Sequence, residues 1–151
     1  RRHGLRVVVA AHPKSDYRGD PFRGRAVLKG ATRALVDGCE FAVTTFSSSL
    51  GYAVLARKPL VFFTTDEIAT RYAAIQLDVF PPLFARTLGR NCLNLDRPEQ
   101  ASRAEVPPVD TALYDAYKYR YLVSRASEGR ASREVCAEFY KDALGAPAEV
   151  A

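Results

Sequence analysis

Three hydroxyls in a row, Ser47-Ser48-Ser49, stand between an apolar run, Phe41 to Phe46 (FAVTTF), and a helix-like segment, Leu50 to Arg57 (LGYAVLAR). A helix N-terminus offers unpaired N–H groups and a partial positive charge, and both favour phosphate. Adjacent hydroxyls add donors at the same spot. The competing reading is a plain helix cap, which needs one serine and not three. Two further polar clusters end apolar runs. His12-Pro13-Lys14-Ser15 follows Leu5 to Ala11 (LRVVVAA), and Thr64-Thr65-Asp66-Glu67 closes Leu60 to Thr65 (LVFFTT). The His12 imidazole can donate to a phosphate or a ribose hydroxyl or act as a base; a satisfied structural histidine is the alternative. Asp66 and Glu67 either hold ribose hydroxyls or cap the next helix. Arg25 and Lys29, read as one helical turn apart, face a common anion or form a solvated helix face. His3 receives no role.

These clusters need elements to hold them. Leu5 to Ala11, Phe41 to Phe46 and Leu60 to Thr65 are short, near-continuous apolar runs, the signature of strands buried on both faces of a parallel sheet. Cys92 to Leu95 (CLNL) is a short fourth strand. Residues 14–24 (KSDYRGDPFRG) form a loop. Arg25 to Val36 reads as a helix with Ala26, Val27, Gly30, Ala31, Ala34 and Leu35 on one side and Gly38 as its stop. Ile68 to Leu88 is mostly helical, interrupted at Pro81-Pro82. Pro98 to Pro108 is a linker, and Thr111 to Ser124 and Ser132 to Leu144 are two closing helices. The first carries Tyr114, Tyr117 and Tyr121, whose spacing favours a packing stripe over a ligand site.

Strands alternating with helices predict an α/β, doubly wound sheet, with the strands at 5–11, 41–46 and 60–65 parallel and adjacent. Ligands of such sheets bind beyond the carboxyl ends of the strands, so all three polar clusters should line one edge. No GxGxxG fingerprint and no GxxxxGK loop occurs. Spacing yields no Ser/His/Asp trio, metal cluster or paired catalytic carboxylates.

Bulk properties set the frame. The 151 residues are 48% hydrophobic and 26% charged, which suits one folded domain spanning 1–151. The net charge of +5 suits an anionic small molecule or an anionic membrane surface. No Lys/Arg block is dense enough to demand nucleic acid. Cys39, Cys92 and Cys136 are scattered and odd in number, which reads as buried free thiols in a reducing compartment. The chain has no Met, so it reads as a piece of a longer protein.

The same residues carry a resemblance. His12-Pro13 at a strand end resembles the HP motif of bacterial sialyltransferases and Kdo transferases. Ser47-Ser48-Ser49 at a helix start resembles their serine motif. Thr44 to Asp66 (TTFSSSLGYAVLARKPLVFFTTD) is similar to a segment of the glycerophosphate and ribitol-phosphate polymerases of teichoic acid synthesis. AAHPKSDY, GRAVLKGAT and this stretch together look like proteins of bacterial surface and capsular polysaccharide clusters. The resemblance covers about residues 5–96. It implies a Rossmann-like domain that is the C-terminal, donor-binding half of a GT-B glycosyltransferase, with the N-terminal domain absent. It implies that His12, followed by Pro13 and Lys14, contacts the nucleotide, and that Ser47 to Ser49 hold its phosphate, with Asp66, next to Glu67, at the acidic position. The substrate would be a CMP-, CDP- or UDP-linked sugar, with no other cofactor and no metal. The place of work would be the cytoplasm, at the inner face of the membrane. Those families carry their catalytic acid or base in the N-terminal domain, so the chain should bind donor without transferring sugar. It departs from them in having three serines where some relatives have two, and in lacking a second acidic motif.

Two other readings compete. Half of a sugar-nucleotide epimerase has a similar HP strand end, but those enzymes tend to place Ser-Gly-Gly after the second strand, and Ser47 to Ser49 lacks the glycines. A non-catalytic flavodoxin-like binding domain would not need three phosphate-ready strand ends.

Overall fold

A computed structural model describes residues 4–71, 73–75, 78–102 and 104–145; His3 and parts of the 68–88 stretch lie outside them. The elements run β1 (Val8–Ala11), β2 (Ala26–Lys29), α1 (Thr32–Asp37), β3 (Ala42–Thr44), α2 (Leu50–Leu55), β4 (Leu60–Thr64), α3 (Asp66–Arg71), α4 (Phe80–Thr87), β5 (Cys92–Asn94), α5 (Pro98–Ser102), α6 (Thr111–Tyr117) and α7 (Ser132–Leu144). The protein is a mixed α/β structure with two small parallel sheets. One is β1–β2 and the other is β3–β4–β5.

The three-stranded sheet holds the core. Phe62, at the middle of β4, is fully buried, and Leu60 is nearly so. Both point to one face, as residues two apart in a strand must. Against that face pack Leu50, Ala53 and Val54 of α2, Ala85 and the adjoining Leu88 of α4, and Tyr114 and Tyr117 of α6. The register pairs Val43 with Val61 and Phe63 with Leu93, so the strands end together at Thr44, Phe62–Thr64 and Asn94. Pro59 opens β4 and places its carbonyl on the Ala42 N–H at 2.9 Å.

Two of the tyrosines behave as packing residues. Tyr114 is 1% exposed, and its hydroxyl donates to the Lys58 carbonyl at 2.9 Å. Burial pushes the Tyr114 hydroxyl's pKa up, with Arg90 beside it pulling the other way. Tyr121 stays exposed, its ring 4.8 Å from that of Tyr117. The helix carrying them starts at Asp110, whose carboxylate accepts the Leu113 N–H at 3.1 Å, as a good N-cap does. It closes through a π-helical turn, Lys118–Leu122.

Five expectations need correction. The stretch 98–108, expected as a linker, opens with helix α5, Pro98–Ser102. The helix expected over 25–36 is strand β2 followed by a short helix, because Gly30 sits at φ +69 and no right-handed helix runs through it. The strands at 5–11 and 41–46 are not hydrogen-bonded neighbours, since β1 pairs with Ala26–Lys29 instead. Leu5, Val7 and Val43 are exposed, so among the described residues no buried face at these positions enforces a common ladder. Pro81 and Pro82 fall in the first turn of α4, where the missing N–H costs nothing, so they start that helix and do not interrupt it. Finally, Cys136 is exposed on α7, and Cys39 and Cys92 are only half-buried. Among the described residues, no helix is long and apolar enough to cross a membrane.

Gly89 follows α4 at φ +67, and a Cβ there would lie 2.6 Å from Leu113 Cδ1. Gly89→Ala should lower unfolding free energy by about 2 kcal/mol, combining left-handed strain with displacement of Leu113. Gly129 has φ +78 but open space around it, so Gly129→Ala should cost about 1 kcal/mol. Urea denaturation of both variants checks the order, and equal losses would remove the packing argument.

Candidate functional site

Parallel pairing brings the polar ends of β3, β4 and β5 to one end of their sheet. At the end of β3, Ser47 and Ser49 join hydroxyls at 2.7 Å, and the Ser49 N–H donates to Ser47 Oγ at 3.2 Å. Ser49 is the N-cap of α2, yet its side chain makes no capping bond. The N–H groups of Leu50, Gly51 and Tyr52 bond the carbonyls of Ser47, Ser48 and Ser49 at 3.0, 3.3 and 3.0 Å. Those amides are therefore occupied, and α2 spans only six residues, so its dipole is small. The hydroxyls, not the helix backbone, are what this site can offer an anion.

Ser47 and Ser49 stand at the end of a groove of about 840 Å³ that opens between the two sheets. One wall is the strand segment 5–10, and the other runs from Cys39 to Thr44. Thr32, Val36 and Ala53 help form its floor. The lining is mainly apolar with hydroxyls at one end, a composition suited to a small ligand. His12, Pro13 and Lys14 follow the β1 end of this groove but are not among its walls. All three are exposed. His12 Nδ1 accepts the Lys14 N–H at 3.1 Å, which fixes the ring against its own turn.

Asp66 and Glu67 lie elsewhere and are engaged. The cap of α3 is Thr65, one residue earlier than expected, with the Ile68 N–H donating to its Oγ1 at 3.1 Å. Asp66 Oδ1 accepts from Asn94 Nδ2 at 2.7 Å, and Arg97 approaches Oδ2 at 3.4 Å. The Asp66 N–H in turn donates to Asp96 Oδ2 at 2.7 Å. Glu67 pairs with Arg71 at 3.1 Å. Asn94, Asp96 and Arg97 thus lace the ends of β4 and β5, a set that sequence reasoning missed. The signal was present in Asn94-Leu95-Asp96, polar residues at a strand end like Thr64-Thr65-Asp66.

Arg25 and Lys29 do not lie one helical turn apart. Lys29 closes β2 opposite Ala11, and Arg25 precedes the strand, its guanidinium on the Phe22 carbonyl at 2.9 Å. Four residues of extended chain separate them by roughly 13 Å. Burial pushes the Cys92 thiol up, and burial outweighs the nearby Lys58 in pushing Cys39 up, so neither of these two is an activated nucleophile. Among the described residues no His/Cys/Asp/Glu group could hold a metal ion.

The hydrogen bonds separate capping from ligand contact. Replacing Ser47, Ser48 and Ser49 together by Ala should change stability by less than about 0.5 kcal/mol, since no serine side chain caps α2. Thr65→Ala, which removes a real cap, should cost about 1 kcal/mol. Urea denaturation compares the two, and a larger loss in the triple variant would return the serines to a structural role. Neither a family model, a curated protein nor a solved structure matches this chain.

Proposed function

We propose that this chain is the donor-binding half of a two-domain glycosyltransferase of bacterial surface polysaccharide synthesis, and that it holds the nucleotide diphosphate or monophosphate of a sugar donor. One observation carries the reading. The groove opens between β1 of one sheet and β3 of the other, an apolar cleft of the size that holds a small ligand. Here the crevice ends in the Ser47 and Ser49 hydroxyls.

The reading assigns roles by chemistry. The Ser47–Ser49 hydroxyl cluster donates to phosphate oxygens. The apolar walls from β1 and β3 shelter the base or ribose. Lys14 and His12, at the rim beyond β1, supply cationic or hydrogen-bonding groups toward the donor. The Asp66 carboxylate, held by Asn94 and Arg97, positions the neighbouring strand ends and does not grip ribose. The sheet order β2–β1 beside β3–β4–β5 is compatible with one doubly wound, Rossmann-like unit of a GT-B pair. Transfer requires an acceptor held in attack geometry, which in this reading a second domain supplies at the cytoplasmic face of the membrane.

The test is a calorimetric and thermal-shift panel of CMP, CDP, UDP, UMP and GDP. One pyrimidine nucleotide should bind best, and the triple serine-to-alanine variant should bind it at least tenfold more weakly, since hydrogen bonds to a charged group contribute about 1.5–3 kcal/mol. Unchanged affinity in that variant, or no binding by the whole panel, overturns the reading. The chain assayed alone with CMP-, CDP- and UDP-sugars should show no transfer, and robust turnover would overturn the division of labour between domains.

A further inference from the structure

No side chain of α7 is buried, and Phe139, Tyr140 and Leu144 on it are 67%, 61% and 74% exposed. At the pitch of an α-helix, Val135, Cys136, Phe139, Tyr140 and Ala143 share one side, with Leu144 at its edge. Arg133 borders that side on one flank and Asp142 on the other, while Glu134, Glu138 and Lys141 stand opposite. The helix is therefore amphipathic, and its apolar side meets no layer of the fold.

The segment just ahead of it, 118–133, holds Lys118, Arg120, Arg125, Arg130 and Arg133 against a single carboxylate, Glu128. The chain's surplus of positive charge, +5 in all, is thus concentrated beside α7. Two of these guanidiniums rest on aromatic rings: Arg125 lies 3.9 Å from the centre of Tyr119, and Arg120 lies 5.3 Å from that of Tyr121. Arg120, Arg125 and Arg133 form no ion pair among the described residues. Glu128 is taken by Lys118 and by the Tyr119 hydroxyl at 2.6 Å, and Glu138 by Arg130, which ties α7 to this segment. We infer that residues 118–144 form a docking surface for an anionic lipid bilayer, with α7 lying in the plane of the headgroups.

The combination of groups selects that partner. An interfacial helix sinks its apolar side to the boundary of headgroups and acyl chains and leaves its polar side in water. Phe139 and Leu144 supply the acyl contact. Tyr121, 54% exposed, and Tyr140 supply amphipathic rings that settle at headgroup level. The guanidiniums beside them meet lipid phosphates. Nucleic acid would answer the charge but leave Phe139 and Leu144 in water. A second copy would answer the apolar side but not the charge. Three side chains exposed to this degree offer roughly 400 Å² per copy, and two copies fall short of the ~1,200 Å² of a stable interface. The surface shares no residue with the groove that holds Ser47 and Ser49, so it stands apart from the nucleotide reading.

Fluorescence tests this directly, because the chain contains no Trp and Phe139→Trp adds one fluorophore at an exposed position. On vesicles of phosphatidylglycerol mixed with phosphatidylcholine, this variant should emit further to the blue and be quenched by brominated acyl chains. Pure phosphatidylcholine should bind about tenfold more weakly, and added salt should weaken binding to the mixed vesicles. Replacing Arg120, Arg125 and Arg133 together by Gln should cost at least tenfold on the mixed vesicles, since each basic group at an anionic leaflet contributes roughly fivefold. Phe139→Ser with Leu144→Ser should weaken binding several-fold without moving the urea midpoint, as both side chains are exposed. The triple serine variant should bind vesicles as the parent chain does, which separates this surface from the groove. No vesicle binding, binding without a blue shift, equal binding to both vesicles, a polyuridylate strand held more tightly than the mixed vesicles, or a dimer in solution that Phe139→Ser with Leu144→Ser dissociates would each overturn the inference.

Discussion

Burial of Phe62 is the constraint on which the rest of the structure depends. It is 0% exposed in the central strand of the only three-stranded sheet among the described residues. A side chain of that size at the middle of β4 fixes which face of the strand points inward, and a slip of one residue would expose it and bury Val61 or Phe63 instead. With the face fixed, a one-residue slip against β3 or β5 is excluded. In this parallel register Thr44, Thr64 and Asn94 arrive at one end of the sheet, and the polar clusters that follow them stand there.

A second contact ties the C-terminal part to that strand. Tyr114 inserts its ring into the core and bonds the carbonyl of Lys58, just before Pro59 and β4. An unpaired carbonyl at that depth would carry a desolvation cost, and the tyrosine hydroxyl meets it while its ring fills the space between α2 and α4. Arg57 and Asp115 pair at 2.8 Å nearby, but both are about half exposed and add little. Core filling, not surface charge, holds α6 in place.

How much of this was readable beforehand follows the same physics. The strands at 8–11, 42–44, 60–64 and 92–94 were legible because burial demands continuous apolar runs, and such runs survive in any context. β2 was not legible, since Ala26-Val27-Leu28-Lys29 has no clear period over four residues. Gly30, placed on a helical face, was the one sign against a helix. The serine cluster was correctly placed at a strand end, but the role of its carbonyls in accepting the first amides of α2 was not visible. Whether Leu50, Gly51 and Tyr52 turn their N–H groups back onto the serine carbonyls depends on local geometry that no spacing encodes. The Asp66–Asn94–Arg97 lacing was hidden for another reason: it joins residues about thirty positions apart that only the sheet register brings together.

The two sheets are unequally held, and this bears on what the groove between them can do. The buried cluster draws on β4, α2, α4 and α6, whereas β1 contributes Ala11 outside that cluster and β2 contributes no buried residue. α1 is the element that bridges them, packing on β1 and on α2. Few buried apolar contacts mean a low free energy of local opening, so β1–β2 separates from α1 more readily than β4 leaves its neighbours. The groove therefore has one stiff wall, backed by Phe62 and its partners, and one compliant wall. In the proposed reading, a ligand seated on the serine end is positioned by the stiff side, while the β1 side with His12 and Lys14 adjusts to it. The cost of that adjustment falls on whatever affinity the hydroxyls provide. Burying Leu5, Val7 and Val43 beneath such a ligand would offset part of it, since those side chains are at present among the most exposed apolar groups on either wall.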